Sequence, residues 1–164
     1  MRLIDSDGYG VELSVAGYQF PDHIDPRIRY SWLIIAGTAN CPEGNWSFRW
    51  QALTLDDAVE LAEWLRRIAA EAQPSGEPPP GPARLEFTEP NLSFTAMPAA
   101  GVVELQIGLD LEFSPPWNRR TEAGKPAVVT ARLAPDDLAT AAKDLGTEVD
   151  SYLPPGGRLL GRVR

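Results

Sequence analysis

Cysteine and histidine are almost missing from this chain: Cys41 and His23 are the only ones. One cysteine excludes an internal disulfide and any thiolate metal cluster, and one histidine excludes paired-histidine metal sites. Long apolar runs are missing too. The longest mainly apolar stretch, Trp32 to Ala36, falls far short of the roughly 20 residues a membrane helix needs. The first residues, Met1-Arg2-Leu3-Ile4-Asp5-Ser6-Asp7, turn acidic before a signal-peptide core can form, so the sequence predicts a cytoplasmic protein with no membrane partner. Lysine is scarce, with 2 against 13 arginines, and no basic run offsets a formal net charge of −8. Such a chain repels phosphate backbones, which argues against nucleic acid and favours a basic protein as partner. Glycine-rich phosphate loops are absent as well. Gly156-Gly157-Arg158 follows a helical segment instead of opening one, the wrong order for cradling phosphate.

What is present suits a globular domain. The 164 residues, 43% hydrophobic and 23% charged, are enough for one domain with a substantial core. Two amphipathic helices are predicted. In the first, about Leu55 to Ala72, Ala58, Leu61, Ala62, Leu65, Ile68, Ala69 and Ala72 form one stripe. Thr54 is its N-cap, Asp56 and Asp57 suit the helix dipole, and Glu63 can pair with Arg67. The second, about Pro135 to Tyr152, carries Leu138, Ala141, Ala142, Leu145, Val149 and Tyr152 on one face. Gly146 interrupts it, and a bend or close packing would account for that residue. The two helix starts, Leu53-Thr54-Leu55-Asp56-Asp57-Ala58 and Leu133-Ala134-Pro135-Asp136-Asp137-Leu138, lie 80 residues apart. Either the chain uses a β-rich-then-α unit twice, or both starts share only helix-start chemistry.

Seven or eight strands fill the rest. Val11 to Phe20, Tyr30 to Ala39, Trp46 to Trp50, Leu85 to Phe87, Leu92 to Phe94, Val102 to Phe113 and Ala127 to Leu133 are apolar or alternate with period two. Short loops such as Cys41-Pro42-Glu43-Gly44-Asn45 and Glu89-Pro90-Asn91 favour antiparallel neighbours. The expected fold is therefore α+β: a mainly antiparallel sheet with two helices in a single domain spanning 1–164. Its halves, 1–73 and 83–153, would be joined by a proline-rich linker at 74–82, with a loose tail at 154–164. A second long polar loop runs from Pro115 to Pro126 and holds Trp117, Arg119, Arg120 and Lys125.

No catalytic or metal residues and no cofactor are assigned. Asp5-Ser6-Asp7-Gly8 lacks the rest of a Ca²⁺ loop and is better read as a solvated turn. A Cys41–His23 thiol pair has nothing to bring it together. Glu86, Glu89, Glu104 and Glu112 are most simply solvent-face carboxylates. Trp46, Trp50 and Trp64 are expected in the core. Trp117, in a loop beside Arg119 and Arg120, is either an interface anchor or a plug on the edge of the core.

Five segments carry a family resemblance: Gly17-Tyr18-Gln19-Phe20-Pro21, Trp32-Leu33-Ile34-Ile35-Ala36-Gly37, Trp46-Ser47-Phe48-Arg49, Ala62-Glu63-Trp64-Leu65, and the run from Leu85 to Phe94. Together they resemble the WapI-type immunity family over most of residues 1 to 152. Such proteins accompany wall-associated contact-dependent toxins, many with nuclease tips. The resemblance implies a non-enzymatic protein that neutralises a toxin by covering its basic cleft, and it carries over no catalytic residue. The candidate contact residues are Trp117, Glu112 and Glu122, with Glu89 and Asn91 as a second exposed group. Two other readings stand beside this one: a small-molecule-binding or enzymatic α+β domain with a cavity between sheet and helices, and a self-associating module.

Overall fold

The computed structural model describes residues 1–73, 81–99, 101–117 and 125–155. The chain folds as two antiparallel four-stranded meanders, each followed by a helix. The first sheet comprises β1 (Arg2–Ile4), β2 (Gly10–Tyr18), β3 (Leu33–Cys41) and β4 (Gly44–Leu53), side by side in chain order. The helix α1 (Pro26–Arg29) lies between β2 and β3, and α2 (Leu55–Glu71) follows β4. The second sheet repeats the plan with β5 (Ala83–Glu86), β6 (Leu92–Ala99), β7 (Val102–Leu109) and β8 (Ala127–Leu133), then α3 (Pro135–Asp150). The predicted α+β class with pseudo-repeated halves is the observed one. Most of the 74–82 linker and of the 154–164 tail lies outside the described residues.

Local chemistry accounts for the elements. Thr54 and Asp57 close a reciprocal capping box at the start of α2: the Asp57 N–H donates to Thr54 Oγ1 at 3.1 Å and the Thr54 N–H to Asp57 Oδ2 at 2.9 Å. The predicted stripe is buried, with Trp64 beside it. Arg67 pairs with Glu71, at 3.2 Å, instead of with Glu63. That pair also lies one turn apart but places the cation on the N-terminal side, and as an exposed contact it contributes little. The predicted alternation on the strands becomes one hydrophobic cluster drawn from both sheets, α2 and α3. Trp50 departs from expectation. It shares a face with the buried Trp46 and Phe48, yet it is 49% exposed. Its strand is the edge of its sheet, and among the described residues the rings that meet Trp46 and Phe48, those of Trp117 and Phe113, make no ring contact with it.

The helices tie the halves together. α2 and α3 pack on each other; α3 reaches back to β1 and β2, and β8 lies beside β1, β2 and β3. Side chains of one half satisfy backbone groups of the other. Asp5 Oδ1 accepts from the N–H groups of Asp7 and Tyr9, and Oδ2 from the Arg132 N–H of β8 at 3.3 Å. Its carboxylate is thus engaged in structure, as the solvated-turn reading of 5–8 did not foresee. A more consequential contact is at Val15. β1 covers the outer edge of β2 only as far as Met1, which exchanges hydrogen bonds with Leu13. Two residues on, the Val15 N–H donates to Glu148 Oε1 at 2.8 Å, and the Tyr152 hydroxyl donates to the Val15 carbonyl at 3.0 Å. Tyr18 closes the latch by donating its hydroxyl to the Tyr152 carbonyl. A bulge at Ala16, between the pairs Val15↔Ile35 and Gly17↔Ile34, marks this place. Tyr18 and Tyr152 also meet edge to face, with ring centroids 6.0 Å apart. Burial first, then the neighbouring Tyr30 and Tyr152, raise the Tyr18 phenol above its ordinary pKa, so the donor stays protonated.

Two measurements check these statements. Removing the acceptor by Glu148→Ala, or the donor by Tyr152→Phe, strands a Val15 backbone group and should lower unfolding free energy by about 1–3 kcal/mol in urea titration. Values within error of the parent would show the latch to be idle. Conversely, close packing does not account for Gly146, since a methyl built there meets nothing within 4 Å in a helix that runs on to Asp150. Gly146→Ala should therefore stabilise the protein by about 0.5–1 kcal/mol; a loss of stability would mean the site is crowded after all.

Candidate functional site

The predicted strand from Val102 to Phe113 stops at Leu109. From there the chain forms an arch, Asp110 to Trp117, built on both halves. The Asp110 N–H donates to the Asn91 carbonyl at 3.0 Å, and Asp110 Oδ1 accepts from the Leu111 N–H at 2.8 Å. Leu111 takes a φ of 51°, the one non-glycine residue among those described in the left-handed region. This conformation breaks the strand although the apolar alternation continues. Leu111–Phe113 then form a turn of 3₁₀-helix, with the Phe113 N–H donating to the Asp110 carbonyl at 2.9 Å.

The arch is fixed to the first sheet by aromatics. Phe113 is fully buried, its ring 4.3 Å from that of Phe48. The Trp46 indole N–H donates to the Phe113 carbonyl at 2.8 Å, a buried bond across the halves. Trp117 meets Trp46 edge to face at 5.4 Å and 80°. Its six-membered ring also lies over Gly44, where a methyl would stand 3.1 Å from the indole. Gly44 has φ 147°, so both backbone and space call for glycine there. Trp117 thus rests on the β3–β4 hairpin and remains 42% exposed; it is neither free in a loop nor swallowed by the core.

Two predicted residues come together here. Asn91 Nδ2 donates to Glu112 Oε2 at 2.8 Å. Asn91 is not exposed, as expected from its turn, but 1% exposed, the one buried polar residue among those described. It ends the β5–β6 turn, where both its amide and its carbonyl hold the arch. Glu89 lies in the same turn, half-buried, with no hydrogen bond or ion pair to Glu112 or Trp117 among the described residues. Glu122, Arg119 and Arg120 fall outside the described residues.

The thiol and the imidazole have local partners. Cys41 Sγ donates to the Gly44 carbonyl at 3.5 Å. Burial, then a hydrogen bond to Glu43, raise its pKa, while the same bond holds the Glu43 carboxyl below the usual range. A thiol so placed is a poor nucleophile. His23 Nδ1 accepts from the Asp25 N–H. Among the described residues no group of three or more metal-ligating side chains could hold a metal ion, and no helix is long and apolar enough to cross a membrane.

A second exposed surface escaped the sequence reading. The excursion between β2 and β3 displays Phe20, Ile24 and Ile28, with Ile24 90% exposed. It is internally braced: Asp25 caps α1, and Arg29 Nε donates to the His23 carbonyl at 2.7 Å. The available signal was three apolar residues in a stretch broken by Pro21 and Pro26, too short to bury them.

In comparison with known proteins, the model of the immunity protein WapI-like family matches residues 2–153. No curated protein matches.

The arch's anchorage can be tested with Trp46→Phe. A smaller aromatic ring remains, the buried Phe113 carbonyl loses its donor, and stability should fall by about 1–3 kcal/mol or more. Trp117 fluorescence should shift with it. An unchanged denaturation curve would mean that the indole bond contributes nothing.

Proposed function

The chain belongs to the immunity protein WapI-like family, and we propose that it neutralises a cognate toxin domain by covering a basic surface of it with the Asp110–Trp117 arch. Membership gives the coarse role, a non-catalytic one exercised by binding protein. The arch supports the finer reading. Trp117 is a rigid aromatic, half-exposed and seated on Trp46 and Gly44, and an anchor held in place loses little entropy on binding. The same arch carries Asp110 and Glu112, and Glu43 precedes the glycine on which Trp117 rests. Glu89 and Glu122 complete the set of carboxylates proposed for the contact. The formal charge of −8 steers such a surface toward a cationic cleft and away from nucleic acid.

The experiment is a binding titration against a catalytically inactivated toxin tip domain of the WapI type. Trp117→Ala should weaken binding by roughly 30-fold, the effect of a 2 kcal/mol hot spot, and leave the fold intact by circular dichroism. Association of the parent should slow as salt rises. Equal affinity of parent and Trp117→Ala would remove the arch from the contact; absence of any binding would remove the toxin reading.

A further inference from the structure

We infer that Leu111 is a second anchor of the same surface and that Asn91 is the positioning residue that holds it ready for a lysine- or arginine-rich protein partner. This rests on the toxin-binding reading above. Three unfavourable features coincide within a few residues. A branched side chain occupies a left-handed backbone, φ 51°, which glycine or asparagine would occupy more easily. That leucine is 51% exposed, so filling the core does not explain it. A buried asparagine donates its amide to the exposed Glu112, where an apolar residue could fill a core position without needing a partner. Any one of these is tolerable; all three serve one result, which is to present Leu111 between two oriented carboxylates. Asp110 has Oδ1 engaged by the Leu111 N–H, and Glu112 has Oε2 engaged by Asn91. The second oxygen of each has no partner among the described residues. An apolar side chain flanked by two such acceptors matches a cationic surface with an apolar recess, the chemistry of a basic protein and not of a second copy of this acidic chain.

The test pairs thermal melting with affinity for the same inactivated toxin domain. Leu111→Gly relieves the backbone, so its Tm should hold or rise by up to about 2–4 °C, while affinity falls about tenfold or more. Leu111→Asn, which also tolerates the left-handed region, should lose affinity equally, separating the lost side chain from added backbone freedom. Asn91→Ala and Glu112→Ala should be non-additive in affinity, as expected if one acts through the other. A Tm for Leu111→Gly lowered by more than about 4 °C would overturn the strain argument. Full affinity in both Leu111 variants would overturn the anchor while leaving the Trp117 contact standing. A parent chain that does not bind overturns the function and this inference together, and that outcome is visible before any variant is made.

Discussion

The unpaired edge of β2 at Val15 is the constraint around which the two halves are arranged. A buried backbone N–H or carbonyl without a partner costs on the order of 1–3 kcal/mol, and β1 is too short to cover this residue. The solution comes from the far end of the chain: Glu148 accepts from the Val15 N–H and Tyr152 donates to its carbonyl. The first sheet therefore cannot be completed by its own half. The same exchange recurs at Asp5 with the Arg132 N–H and at Trp46 with the Phe113 carbonyl. In each case one half supplies a side chain and the other a backbone group. Hydrophobic burial joins the halves without direction; these bonds set how they sit.

The arch inherits its rigidity from this arrangement. Its inner residue, Phe113, is held by a tryptophan of the first sheet, and its carboxylate Glu112 by an asparagine of the second. Its outer residue, Trp117, rests on a hairpin glycine. A surface held from several sides would lose little freedom on meeting a partner. Gly37 has a related role: a methyl there would stand 2.6 Å from the Phe48 ring, so its absence leaves room for the ring on which Phe113 stacks.

Much of the fold is legible in the sequence because it rests on periodicity. The α2 stripe and the alternating strands follow from spacing, and the Thr54 cap and the proline start of α3 from residue type. β1 is not legible, since three residues carry no period. Leu111 misleads because Leu109, Leu111 and Phe113 continue a period-two pattern across a break made by backbone torsion, which spacing does not encode. Trp50 misleads because its face is right but its position on an edge strand is a matter of sheet order. Asn91 reads as a turn residue; its burial depends on Glu112, 21 residues away. Trp117 and Glu112 were legible as candidates from residue type and setting, whereas their shared scaffold was not. Phe20 ends a predicted strand that in the structure stops at Tyr18, and Ile24 and Ile28 fell between two predicted strands and drew no attention.

The latch at Val15 also has a consequence in time. Each meander is made of sequential hairpins, so the first can zip up as soon as its strands leave the ribosome. Its exposed flank, however, waits for Glu148 and Tyr152, which are translated well over a hundred residues later. Until then the nascent chain carries an open strand edge of the kind that recruits other chains. A chain ending before α3 would lack both residues that satisfy Val15 and would keep that part of the β2 edge bare.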